Sequence, residues 1–285
     1  MVILAVVNQK GGVGKTTVAL GLAAVAGRRG LDTIVVDLDP QANATSGMGV
    51  WSSPVTVDHA LAAERPGAVA EAIVESAWDP SLFVKTPRLV PSSPALSQRE
   101  PQLANDPIGA QDRLHIAMSG VEADLVIIDC PPSLGLLTVN ALFAADAVAI
   151  VSEPAAWSTD GVEQILRNVS RIQERRDGSP RIAGIVVNRL ARTRDGRYWD
   201  AQLLEAHHGM VVRPAIRLRA AVAEAAAQSM PLHALARDGI TDAVAEFDAV
   251  LDALLGPAAT ITLPTAQLAG VTAEASPFGD LYGRV

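Results

Sequence analysis

Cysteine is almost absent from this chain: Cys130 is the single one in 285 residues. One thiol closes no intrachain disulfide. Without a C-x-x-C pair, neither a thiolate zinc site nor an Fe–S cluster held within one chain is available. Cys130 ends an apolar run, so it reads as a reduced core thiol of a cytosolic protein. Aromatic residues are also scarce, at 4% of the chain against 49% hydrophobic. The core must then come from Ala, Val and Leu, which suits helices packed on a buried parallel sheet. No apolar run free of charge and helix breakers reaches 18 residues, so no membrane span is expected. A strand-like run already begins at Val2, and no leader peptide is expected. Lysine is rarest of the charged types, with only Lys10, Lys15 and Lys85. Any basic surface has to be made of arginine. The net charge of −8 argues against a chain coated with nucleic-acid contacts. It leaves a local basic patch open, because the field near a surface depends on nearby charges.

What is present is a regular alternation. Apolar strand runs fall at 2–7, 33–38, 125–129, 147–152 and 182–188, with shorter candidates at 82–86, 88–90 and 211–212. Helical patterns fall at 17–29, 57–62, 68–76, 134–145, 159–176, 216–228 and 240–255. The segment 39–49 reads as a loop, and 91–107, with four prolines, as a short helix between turns. Continuous apolar strands alternating with helices predict an α/β fold: a doubly wound, mostly parallel sheet with helices on both faces. A single domain is expected over 1–255, and no internal repeat is visible. From 256 to 285 the composition turns to Ala, Thr, Pro and Gly. This segment is expected to be an extended or partly disordered tail, with 261–263 able to dock on the body.

Residues 10–17 read Lys-Gly-Gly-Val-Gly-Lys-Thr-Thr, between the first strand and the first helix. Strand, glycine loop, helix is the context of a phosphate-binding loop. Gly11, Gly12, Val13 and Gly14 would turn backbone N–H groups toward phosphate oxygens. Lys15 would place its charge at the β- and γ-phosphates, and the Thr16 hydroxyl would ligate Mg²⁺, with Thr17 completing the loop. The helix N-terminus adds a favourable dipole. The usual pattern has a glycine at the position of Gln9 and no need for a lysine at position 10. A lysine there is badly placed for its own phosphates and better placed for a nucleotide held by a second subunit. The loop resembles that of the deviant Walker A ATPases, where this first lysine is the signature and crosses a dimer interface to the partner's ATP.

Two further strand ends carry carboxylates, at the edge where open α/β sheets bind ligands. One is Asp37-Leu38-Asp39-Pro40, with Asp39 further out along the strand. The other is Leu125-Val126-Ile127-Ile128-Asp129, four apolar residues and an aspartate, the Walker B shape whose carboxylate reaches Mg²⁺, in part through water. The segment 39–47, Asp-Pro-Gln-Ala-Asn-Ala-Thr-Ser-Gly, closely resembles the corresponding segment of the ParA (Soj-like) partition ATPases. The resemblance runs in order and spacing over about 1–255. It implies that Asp39 positions the attacking water while Asp37 supports it, and that Lys10, Lys15 and Asp39 carry catalysis. It also implies adenine contacts from Asn188 and from the backbone near Pro214. An amide such as Asn188 both donates to and accepts from a base edge.

Between 181 and 219 there are eight arginines against Asp195, Asp200 and Glu205. That excess opposes the overall sign, and arginines on a loop and helix start bind DNA phosphates without reading bases. In the family this resembles, ATP-bound dimers bind DNA non-specifically through this part. Arg189, Arg192, Arg217 and Arg219 are the expected contacts. The resemblance thus implies a slow, Mg²⁺-dependent ATPase that closes a homodimer on ATP and binds double-stranded DNA. It further implies stimulation by a ParB-like adaptor, and a cytoplasmic, nucleoid-associated protein that positions chromosome, plasmid or other cargo. Three alternatives fit less well. A MinD-like membrane ATPase needs a basic amphipathic C-terminal helix, and the last 30 residues hold one arginine, Arg284. A dethiobiotin-synthetase-like ligase needs neither the crossing lysine nor the arginines. A nitrogenase-iron-protein-like reductase needs two cysteines per subunit.

Overall fold

A computed structural model of the chain describes residues 1–256 apart from Pro107 and Trp157. Eight strands form one sheet: β1 (Val2–Val7), β2 (Thr33–Asp37), β3 (Val74–Glu75), β4 (Arg88–Val90), β5 (Leu125–Asp129), β6 (Ala147–Ser152), β7 (Arg181–Val187) and β8 (Val211–Val212). Their order is β3-β4-β2-β5-β1-β6-β7-β8. All neighbours run parallel except the edge pair β3–β4. Ten α-helices lie among the described residues, besides three short 3₁₀ turns: α1 (Lys15–Arg28), α2 (Asn43–Gly47), α3 (Val57–Ala62), α4 (Leu96–Leu103), α5 (Arg113–Met118), α6 (Leu136–Ala144), α7 (Ser158–Gln173), α8 (Arg194–Ala206), α9 (Ala220–Ala227) and α10 (Ile240–Leu255).

The sheet is apolar on both faces because successive side chains point to opposite sides. Ile3, Ala5 and Val7 of β1, with Val126 and Ile128 of β5, pack under α3, α5, α6 and α7. Leu4, Val6, Leu125 and Ile127 pack under α1, α9 and α10. This is the doubly wound arrangement predicted from the sequence. On the second face α1 lies against α10 so closely that a Cβ on Gly21 would stand 2.3 Å from the Phe247 ring. Only glycine admits that approach.

Four short segments differ from expectation. Residues 68–76 form a 3₁₀ turn, Ala68–Ala72, followed by β3. Ala68, Val69 and Ala72 are buried at helical spacing, but one turn buries them all and the chain then leaves to pair with β4. Residues 82–86 are not a strand. Phe83 stacks on Trp78 with ring centroids 5.8 Å apart, and the Lys85 N–H caps the end of α1 at the Gly27 carbonyl. The backbone is thereby drawn across a helix end instead of along a strand. The loop 39–49 contains the single helical turn α2, and 216–219 is extended rather than helical, with Arg217 bridged to Leu190. Helices α5 and α8 lie where the sequence pattern is too polar or too brief to announce them. The expected tail, including 261–263, lies outside the described residues.

Candidate functional site

Strands β1, β2, β5, β6 and β7 all end at one edge, and their following loops converge there. The loop after β1 turns through two left-handed glycines, Gly12 (φ 81°) and Gly14 (φ 88°). Gly14 must be glycine twice over: a Cβ in that conformation is strained, and it would stand 2.2 Å from the Asn188 amide nitrogen. Helix α1 begins at the next residue, Lys15, so its unpaired N–H groups open onto the loop. Asn8 anchors the loop's start, donating to the Val151 carbonyl and accepting from the Lys10 N–H. Sequence reading missed Asn8. Its only signal is a polar residue ending an apolar strand.

The two lysines are placed differently. Lys15 is buried, its ammonium 3.4 Å from the Lys10 carbonyl. Burial lowers its pKa, and the charges of Asp129, Cys130 and Asp39 oppose that loss. Lys10 is exposed at the mouth of the loop.

The three carboxylates sit side by side. Asp37 and Asp129 are register partners across β2 and β5, and neither is exposed at all. Asp37 is satisfied by the Thr45 N–H and hydroxyl, both at 2.7 Å, and by the Asp39 N–H at 3.1 Å. Burial pushes its pKa up to about 6, and those hydrogen bonds oppose the rise. Asp39 lies further out, nearly buried, and accepts from the Gln41 N–H at 2.9 Å. Asp129 accepts the Thr16 hydroxyl at 2.7 Å on one oxygen; its other oxygen is buried with no partner. Burial, then the neighbouring Asp37, raises its pKa well above the usual carboxylate range, with Thr16 and Lys15 opposing. An orphaned carboxylate oxygen beside a hydroxyl is an oxygen donor set of the kind Mg²⁺ takes, since that ion keeps waters and substrate oxygens for its other positions. Among the described residues, no group of three or more His, Cys, Asp or Glu is gathered that could hold a metal without a substrate.

Other expected residues are placed less simply. Asn188 is 2% exposed and donates to the Val13 carbonyl at 2.8 Å. Pro214 is exposed in the turn beyond β8. Arg189 holds a left-handed backbone (φ 58°), donates to the Gly12 carbonyl at 2.7 Å and lies 3.6 Å from Glu153. Arg219 is clasped by both oxygens of Glu246, and its side chain is 13% exposed. Arg217 reaches the same carboxylate at 3.7 Å but stays largely exposed. Arg213 pairs with Asp200 at 2.9 and 3.1 Å. Arg192, Arg194 and Arg197 are exposed around the start of α8. Charge counting did not separate these arginines, because their acids come from elements distant in sequence, such as α10 for Glu246.

The family model for an AAA domain matches residues 1–182. The chromosome partitioning protein ParA of Myxococcus xanthus is 36% identical over 189 residues, which cover 65% of this chain and 64% of that protein. The sporulation initiation inhibitor protein Soj of Bacillus subtilis is 32% identical over 237 residues, covering 81% of this chain and 89% of that one. The match therefore spans just under two thirds of the first relative and most of the second. Among solved structures, apo McdA of Cyanothece superposes with a TM-score of 0.78 at 23% identity, over 90% of this chain and 100% of that chain, and McdA has also been solved in complex with ATP. That likeness fixes the fold. Among the described residues, no helix is long and apolar enough to cross a membrane. Loop, strand-end carboxylates, sheet order and relatives agree: the chain belongs to the ParA/Soj family of P-loop partition and positioning ATPases.

Proposed function

We propose that this chain binds and hydrolyses ATP as a closing homodimer that holds double-stranded DNA non-specifically while ATP is bound. The observation that carries the reading is the contrast between the two loop lysines. Lys15 is enclosed by the chain's own carboxylates, whereas Lys10 faces outward from the same loop. Lys15 then serves the nucleotide of its own subunit, and Lys10 reaches that of the partner. Gly11, Gly12, Val13, Gly14, Lys15, Thr16 and Thr17 cradle the phosphates. Thr16 and Asp129 would hold Mg²⁺, which when bound supplies positive charge to the phosphate oxygens. Asp39 accepts a hydrogen bond from the attacking water and fixes its line of approach, and the lysines stabilise charge on the γ-phosphate. Closure excludes water and strengthens each of these interactions. Loss of the γ-phosphate removes the group that Lys10 grips, and the dimer opens.

DNA is held by exposed arginines of the β7–α9 region, Arg192 and Arg217 foremost. Arg189 and Arg219, each bonded within the subunit, are left out of this reading. Slow turnover would be raised by a DNA-bound adaptor of the ParB kind, and the protein would reside on the nucleoid, moving chromosome, plasmid or another cargo. The test is retardation of random-sequence duplex with ATP, with ADP and without nucleotide. Retardation only with ATP supports the reading, and nucleotide-independent or absent retardation refutes the DNA part. Sedimentation of the Asp39→Ala variant with ATP tests the dimer, which fails as a proposal if that sample stays monomeric. Co-sedimentation with anionic liposomes in ATP would instead favour the MinD-like alternative.

A further inference from the structure

Two side chains from the end of β7 hold two successive carbonyls of the phosphate loop. Arg189 donates to Gly12 O at 2.7 Å, and Asn188 donates to Val13 O at 2.8 Å. In a trans peptide, the C=O of one residue and the N–H of the next point in opposite directions. Gripping the Gly12 carbonyl therefore aims the Val13 N–H the other way, and gripping the Val13 carbonyl aims the Gly14 N–H. These are two of the N–H groups that a phosphate-binding loop must present to its anion. We infer that Asn188 and Arg189 are positioning residues that orient the phosphate-binding N–H groups from behind the loop. They are then neither an adenine contact nor a DNA contact.

Three features agree with this role. Asn188 is almost wholly buried and sits so tightly on Gly14 that no Cβ fits between them, so its amide nitrogen is committed to the loop. The Asn188 N–H is itself tied to the Ser152 carbonyl at 2.8 Å. Arg189 keeps a left-handed backbone, a conformation that costs a non-glycine residue free energy and persists where surrounding structure demands it. Glu153 stands 3.6 Å from the same guanidinium nitrogen that donates to Gly12, holding it near the loop. A cation hydrogen-bonded to a carbonyl also polarises that peptide and makes its N–H a better donor to an anion. Lys10 O, 3.4 Å from the Lys15 ammonium, treats the Gly11 N–H in the same way from within the loop.

The inference rests on the proposed nucleotide binding, and the test separates the two. Dissociation constants of Mg-ATP and Mg-GTP are measured for wild type, Arg189→Ala, Arg189→Lys and Asn188→Leu, together with duplex retardation at saturating ATP. If wild type binds no nucleotide, the proposed function itself fails. For positioning residues, each variant weakens ATP and GTP by the same factor, about tenfold for the buried Asn188 bond in Asn188→Leu and about threefold or more for the exposed Arg189 bond in Arg189→Ala. Arg189→Lys recovers part of the loss, and the Val13 and Gly14 amide resonances shift in Arg189→Ala without nucleotide. At saturating ATP, Arg189→Ala retards DNA like wild type. Loss of affinity for ATP alone in Asn188→Leu would return that residue to the adenine. Unchanged nucleotide affinity with lost DNA retardation in Arg189→Ala would return Arg189 to the DNA surface. Either result overturns the inference. Should Asn188→Leu fail to fold, the Arg189 pair and the amide shifts decide alone.

Discussion

The phosphate end and the arginine end of the same sheet edge are assembled on opposite terms. Around the glycine loop, Lys10 apart, the charged groups are buried and answered by groups from other elements: Asp129 by Thr16, Asp37 by Thr45, Lys15 by the carboxylates around it. Around α8 and α9 most of the charges are exposed, and the acids of α8 and α10 take up some of them and leave others. A buried charge costs far more to leave unpaired than an exposed one. The first region therefore tolerates almost no substitution, and the second is tuned by degrees.

The comparison predicts a descending series of effects. Lys15→Ala removes the one buried cation of the loop and should weaken ATP binding about a hundredfold or more, as isothermal calorimetry would read. Binding within a fewfold of wild type would place the phosphates elsewhere. Asp39→Ala should cut turnover by a factor on the order of 10² or more, with ATP still bound and the dimer accumulating in sedimentation. Normal phosphate release in that variant would remove Asp39 from the chemistry.

Those two outcomes concern groups whose motif could be read directly, and the reason is physical. A phosphate loop needs consecutive residues on one turn, and each strand-end carboxylate follows a buried apolar run, so Gly11–Thr17, Asp39 and Asp129 announce themselves in a single pass. The sheet was legible for the same cause, since strands buried on both faces are unbroken runs of Val, Ile, Leu and Ala. The backs of these groups were not legible. Asn8, Thr45, Asn188 and Arg189 act through partners as many as 177 residues away, and no local pattern marks them. Helix α8 was missed because its buried positions are few, Gly196 and Leu203, so its apolar stripe is too thin to read.

The arginine end gives the middle of the series. Arg192→Ala and Arg217→Ala should each lower the slope of DNA affinity against salt by about one, with ATP affinity unchanged. Arg219→Ala should behave otherwise. It leaves Glu246 without its bidentate partner, so the cost appears in stability, about 1–3 kcal/mol by thermal unfolding, with little change in the salt slope. Equal effects of Arg217→Ala and Arg219→Ala on DNA would erase the distinction between exposed and enclosed arginines.

The smallest effect lies outside both regions. Burial, aided by the charge of Arg28, lowers the His233 pKa to about 4 from 6.5. Below 6.5 the unfolded chain takes up a proton that the folded one refuses, so stability falls as pH drops from about 6.5 toward 4 and is unaffected above that window. His233 is partly exposed, and solvent screening reduces the expected loss to on the order of 1–2 kcal/mol. His233→Leu should flatten the pH profile of the melting temperature across that window. A profile unchanged by the substitution would remove His233 as the source of the acid sensitivity.

The contact of Gly21 with Phe247 has a consequence for the birth of the protein. The helix that starts at the phosphate loop finds its seat on α10, more than 200 residues further along the chain. A nascent chain can thus carry the whole glycine loop clear of the ribosome and still lack the surface that fixes it. Competence for nucleotide should arrive late and all at once, when residues 240–255 emerge, and a chain cut short of them should never acquire it.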